Sequence, residues 1–185
     1  MLEIIGQALG ILAMTLYVIS YQFKKPAFFY LFSLGGATAF CLSYLLLGKT
    51  SGCLCNIVSM LKALYLWLFP TVKRKMHFVS FILLYTGVCA ITIYFDWDSL
   101  LALLTLAASI AHTYMFFQSN EKVLRYIQIF VVSPMWIVYN VLGPEIAIGG
   151  ILCETFVAAS SIVYLIRHRK DKKEEINEQL EVQNN

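Results

Sequence analysis

The sequence predicts an all-α membrane protein. Seven transmembrane helices are expected as two parallel three-helix repeats joined by a linker helix (3+1+3), with the N-terminus outside and the C-terminus in the cytoplasm. Three observations predict this. Hydrophobic residues make up 59% of the 185-residue chain and charged residues 14%, whereas soluble domains run roughly 45–50% apolar and about 25% charged. The apolar residues fall into runs of spanning length, and the basic residues fall on alternate loops. An ordinary water-soluble globule is excluded, and so is a disordered chain outside the extreme C-terminus. The net charge of +3 is too small to suggest a nucleic-acid partner. The expected partner is the lipid bilayer.

A spanning helix needs about 20 mostly apolar residues. Cutting the chain at its charges and turn residues gives runs at 4–23, 27–47, 52–72, 77–95, 99–118, 123–142 and 146–166. The first run follows Met1-Leu2-Glu3-Ile4, which has no basic n-region, so it is expected to stay in the mature protein. Lys24-Lys25-Pro26, Gly48-Lys49 and Lys73-Arg74-Lys75 separate the first four runs. Asp96-Trp97-Asp98, Asn120-Glu121-Lys122 and Gly143-Pro144-Glu145 separate the rest. With the N-terminus outside, the inner loops and the tail hold 12 of the 14 Lys and Arg residues. The outer segments hold Glu3, Asp96, Asp98 and Glu145, with Lys49 as the basic exception. This satisfies the positive-inside rule, and six spans would break the alternation. The tail at 167–185 starts basic, which favours anionic lipid head groups. It ends polar, as a frayed helix or a disordered segment.

The five cysteines, Cys41, Cys53, Cys55, Cys89 and Cys153, all lie in apolar runs. They read as small packing residues rather than a disulfide framework or a metal site. No Gly-rich phosphate loop, H-E-x-x-H or G-x-S-x-G is present. Neither an enzyme nor a cofactor is expected.

Residues 4–70 lie over residues 99–166 as a pattern of spans. Tyr21-Gln22 falls on Phe117-Gln118, and Leu46-Leu47-Gly48 on Val141-Leu142-Gly143. The transmembrane domain, 1–166, then divides into repeat one at 4–72, a linker helix at 77–95 and repeat two at 99–166. A single linker helix gives both triplets the same orientation, as in SWEET-type sugar transporters, whose sites lie near the midplane between repeats.

Several short segments carry a family resemblance: Gln7-Ala-Leu-Gly10, Lys24-Lys25, Tyr44-Leu-Leu-Leu-Gly48, Trp136-Ile-Val-Tyr-Asn140 and Gly149-Gly150-Ile-Leu-Cys-Glu154. With these the chain resembles the YgjV-type bacterial inner-membrane proteins over nearly its whole length apart from the tail. The family often has His where this chain has Ser43, Arg where it has Lys62 and His where it has Tyr139. The resemblance implies an integral protein of the bacterial inner membrane without an established activity. More distantly the 3+1+3 layout looks like SWEET and PnuC-type vitamin transporters, and Trp136-x-x-Tyr139-Asn140 is similar to a pattern in the latter.

Charges inside a spanning helix mark functional sites by default. Lys62 and Glu154 fall in the third and seventh runs, at depths of about 16 and 12 Å from the outer boundary at 1.5 Å per residue. They are close enough for an ion pair. Ser59 and Asn56 lie on the Lys62 face, one and two turns outward. Trp136, with Asn140 one turn further on and Tyr139 beside them, reads as a stacking and hydrogen-bonding set or as part of an interfacial aromatic belt. Pro134 inside the sixth run and Gly35-Gly36 in the second read as paired hinges or as packing positions. His112 reads as a proton relay or as a structural histidine. Gln7 and Gln118 read as interfacial. The expected function is passive or ion-coupled transport of a small polar solute, neutral or zwitterionic. The rival is a non-transporting scaffold or accessory subunit with a structural Lys62–Glu154 pair, and a homodimer is compatible with either.

Overall fold

The computed structural model describes residues 1–20, 26–69, 74–94, 99–117 and 121–184. Among them all regular structure is helical. The elements are α1 (Leu2–Ser20), α2 (Pro26–Leu46), α3 (Thr50–Leu68), α4 (Arg74–Tyr94), α5 (Ser99–Phe117) and α6 (Glu121–Ile127). A π-helical turn (Gln128–Val132) then joins α6 to α7 (Ser133–Leu142) without a break, and α8 (Ile148–Asn184) follows. Each apolar run of the sequence falls on a helical stretch. Helices are what apolar chains must form in lipid, where every backbone N–H and C=O has to be satisfied internally. Four stretches are long and apolar enough to cross a membrane: Leu2–Ser20, Ala27–Leu46, Thr50–Leu68 and Ile148–Arg167. Phe78–Tyr94 and Leu101–Met115 are shorter apolar helices.

Two differences from the sequence reading appear. The helical register of α8 continues to Asn184, so the tail expected to fray from Glu174 onward is helical. The sixth run is divided by the π turn rather than kinked at Pro134 alone. Lys24, Lys25, Lys73, Asp96, Asp98 and the repeat positions Tyr21, Gln22 and Gln118 lie outside the described residues.

The helix ends follow local chemistry. α2 stops in a Schellman turn, with Gly48 at φ 68°, the Lys49 N–H on the Tyr44 carbonyl at 2.8 Å and the Gly48 N–H on the Leu45 carbonyl at 3.3 Å. Only glycine adopts that φ without strain. The chain after α7 turns at Gly143-Pro144, and the Ala147 N–H returns to the Asn140 carbonyl at 3.1 Å.

Packing closes the helices into a ring. α1 touches α2, α2 touches α3, α3 touches α5, α5 touches α7, α7 touches α8 and α8 touches α1. α4 packs from outside against α5 and α3. The α1–α8 crossing is tight because Gly10 faces Gly149, and a methyl group on Gly149 would run into the Gly10 backbone. Small buried residues on one face of α1, Gly6, Gly10 and Ala13, permit this approach. Large apolar side chains such as Leu45, Leu61, Leu83, Phe130 and Phe156 remain on the outside. A surface so apolar suits a lipid solvent and not water.

Candidate functional site

The site begins with one carboxylate and the turn that grips it. Glu154 lies on α8, two turns from its start. Gln128 and Ser133 reach it from the π turn: the Ser133 hydroxyl donates to Oε2 at 2.8 Å and the Gln128 amide to the same oxygen at 3.2 Å. The Gln128 amide also donates to the Ser133 hydroxyl at 2.8 Å. In an α-helix, residues five apart point about 140° away from each other. The π turn, closed by the Ser133 N–H on the Gln128 carbonyl, widens the coil and brings both side chains to one face. Pro134 follows at once and has no N–H to give the carbonyl of Phe130, which disfavours a regular α register there. π turns recur at functional sites for this reason: they re-aim side chains inside an otherwise regular helix.

Glu154 opens into a cavity of about 60 Å³ inside the helix ring. Of the residues singled out in the sequence, Asn56, Ser59, His112, Trp136 and Glu154 line it together. The Asn56 amide donates back to the Gly52 carbonyl at 2.9 Å, and the Ser59 hydroxyl shares a hydrogen bond of 2.9 Å with Tyr85 of α4. Gln128, Gly150, Cys153, Val157 and a set of aromatic rings complete the wall. Tyr17 lies 5.8 Å from Phe40, Phe40 5.7 Å from Tyr44 and Tyr44 6.3 Å from Trp136, ring centre to ring centre, with the last pair parallel within 2°.

Lys62 is buried but does not meet Glu154. Its ammonium donates to the Thr113 hydroxyl at 3.3 Å and lies 5.8 Å from the centre of the Tyr85 ring. Glu154 is satisfied instead by the π turn, so the ion pair anticipated from their depths is not formed. Depth along two helices does not fix the direction in which side chains point. Lys62 lines a second, smaller cavity of about 20 Å³ with Ser33 and Ala63. Tyr17, Ser59 and His112 line both cavities and form the wall between them.

Other residues singled out in the sequence lie outside the cavity linings. Tyr139 and Asn140 are fully buried yet do not line either cavity. The Tyr139 hydroxyl accepts from the Gly52 N–H at 2.8 Å, in the first turn of α3, and from Ser51 at 3.2 Å. Asn140 sits against Gly150. α2 passes through Gly35-Gly36 as unbroken helix, so neither glycine bends it. Gly36 instead makes room for the Tyr17 ring, which a side chain there would strike at 2.7 Å. Pro134 does mark an irregularity, the π turn before it.

Lys49, expected as an exposed outer-loop charge, is fully buried. Its ammonium donates to the Tyr139 carbonyl at 3.1 Å and lies 5.0 Å from the centre of the Tyr139 ring. A cation there answers the orphan carbonyls and the negative dipole end of α7. Gln7 is likewise more than interfacial. Its amide donates to the Ile146 carbonyl at 2.5 Å and accepts from the Ile148 N–H at 3.0 Å, capping the start of α8.

A family model described as bacterial inner membrane protein, Imp-YgjV, matches residues 4–172. The chain belongs to the Imp-YgjV family. No curated protein and no solved structure matches it. The protein is therefore a bacterial inner-membrane protein, and its apolar helices belong in the lipid bilayer. The part matched by the Imp-YgjV model contains every residue described above, from Gln7 to Glu154. Sequence reasoning missed Gln128, Ser133, Tyr17, Phe40 and Tyr44. Gln128 had a signal, as an amide in the middle of an apolar run six residues before a proline. The aromatic residues had none, because in a chain with 15% aromatic residues they blend into the lipid-facing background.

Proposed function

We propose that the protein transports a small polar solute, passively or coupled to an ion, along the axis of the helix ring. One observation carries the reading: two cavities inside the ring meet at Tyr17, Ser59 and His112, one holding Glu154 and the other Lys62. Ionisable residues at membrane depth that face internal space mark solute and ion pathways. In this reading the chain has seven spans arranged 3+1+3, with the N-terminus outside. The packing supports it. α1, α2 and α3 touch in series, as do α5, α7 and α8. α1 meets α8 as α3 meets α5, which is the pattern of two parallel triplets about an axis along the membrane normal. α4 stands outside the ring as the linker. The layout is like that of SWEET and PnuC transporters in element order only. A scaffold or accessory subunit is the alternative, but the sealed Lys62–Glu154 pair it called for is not formed.

The test is access from water. With the native cysteines replaced by serine, a single Ser59→Cys is expected to react with a small charged thiol reagent added to vesicles. It should react at least ten times faster than Leu61→Cys, which lies on the outer surface of the ring. A folded Ser59→Cys protein unreactive from both sides of the membrane would overturn the proposal and favour the scaffold.

A further inference from the structure

The chemistry of the larger cavity narrows the solute class, and the inference rests on reading that cavity as a solute site. Its walls combine one acid with a continuous series of aromatic rings. Tyr17, Phe40, Tyr44 and Trp136 follow one another at 5.7 to 6.3 Å between centres, and all four line the space that Glu154 enters. Among the described residues, no Lys or Arg lines it. Lys62, expected as the counter-charge, is turned into the other cavity and toward Thr113. Both hydrogen bonds that Glu154 receives go to Oε2, and neither goes to Oε1. A carboxylate at this depth is costly unless paired. The π faces beside it carry negative potential and attract cations, above all weakly hydrated ones.

We propose that this cavity binds a small organic ammonium head group, with Glu154 as counter-ion and the Tyr17–Phe40–Tyr44–Trp136 series as its aromatic cage. The size agrees. One water-sized group needs about 10–15 Å³ on this measure of volume, so about 60 Å³ takes on the order of four or five non-hydrogen atoms. Tetramethylammonium has that size. A neutral solute of the same shape would leave the carboxylate unpaired. A hydrated inorganic cation would have to exchange its water shell for ring faces. Glu154 supplies the charge, and Gln128 and Ser133 position it. The rings select for an alkylated nitrogen over a metal cation.

The experiment is a binding titration of the purified full-length protein in lipid nanodiscs. The probes are tetramethylammonium chloride, sodium chloride at equal ionic strength and tert-butanol as the neutral isostere. Saturable binding of tetramethylammonium is expected, read as a rise in melting temperature by mass action and as a change in tryptophan fluorescence. Sodium and tert-butanol should give neither. Trp136→Phe should retain binding, while Trp136→Leu and Glu154→Gln should each weaken it at least tenfold. Melting curves without ligand identify any variant that fails to fold, and Trp136→Phe against Trp136→Leu keeps the comparison within folded proteins. An equal response to sodium or to tert-butanol would overturn the proposal, as would tetramethylammonium binding that survives both Trp136→Leu and Glu154→Gln. Absence of any tetramethylammonium response would overturn it too. The outcome is separable from the transport reading: cation binding with Ser59→Cys sealed from water would leave a binding site without a pathway. A reactive Ser59→Cys without cation binding would leave a pathway for another solute.

Discussion

At the residue scale the polar side chains divide into those that face internal space and those that tie helix ends. Lys49 belongs to the second group. Lys49→Met keeps the apolar stem but removes the donor to the Tyr139 carbonyl. A buried acceptor left without its donor costs about 1–3 kcal/mol. The variant is expected to lose that much stability in a denaturant titration in mixed micelles, with little change in ligand binding. Tyr139→Phe should cost a similar amount, because the Gly52 N–H loses its acceptor. Unchanged stability in both variants would remove the capping role. The sequence made Asn56, Ser59, His112, Trp136 and Glu154 legible because a polar or amphipathic group in an apolar run is conspicuous. It misplaced Tyr139, Asn140 and the partner of Lys62. Helical spacing tells which residues of one helix share a face, but not which neighbouring helix that face meets.

At the scale of elements the π turn is the feature that brings Gln128 and Ser133 together on Glu154. Pro134→Ala restores a backbone N–H and lets the segment relax toward a regular α-helix, which would swing Gln128 away from Ser133. In a background where Trp136 is the sole tryptophan, its emission maximum should shift in Pro134→Ala while the helix content seen by circular dichroism stays the same. An unshifted maximum would mean that the turn persists without the proline. Packing between elements has its own check. The Cys41 and Cys53 sulfurs, on α2 and α3, lie 3.3 Å apart as free thiols. Copper phenanthroline, with oxygen as the electron acceptor, is expected to join them with the loss of two hydrogens. The mass change should vanish in Cys41→Ser. Run boundaries were readable because charges and Gly-Pro pairs interrupt apolar stretches. The π turn was not, since its residues Gln-Ile-Phe-Val-Val fit an ordinary helix and only the following proline hints at it.

At the scale of the whole molecule the ring with an outlying α4 follows from rod-like helices and short connections, and in the proposed arrangement the basic residues give it a direction. A C-terminal fusion to a fluorescent protein should be bright, and one to alkaline phosphatase, active only outside the cytoplasm, should be inactive. The reverse result would invert the proposed orientation. The helix-end ties have a further consequence when taken together. Gln7 bridging Ile146 and Ile148, and Lys49 and Gly52 both bonded to Tyr139, all lie at the end of the ring that carries the α2–α3 and α7–α8 connections. The molecule is therefore latched at one mouth. In the proposed transport cycle, parting this mouth breaks several hydrogen bonds at once. A step that breaks several bonds together has a steep temperature dependence, and in that cycle loosening the latch, as Lys49→Met does, should speed turnover even as it weakens the fold.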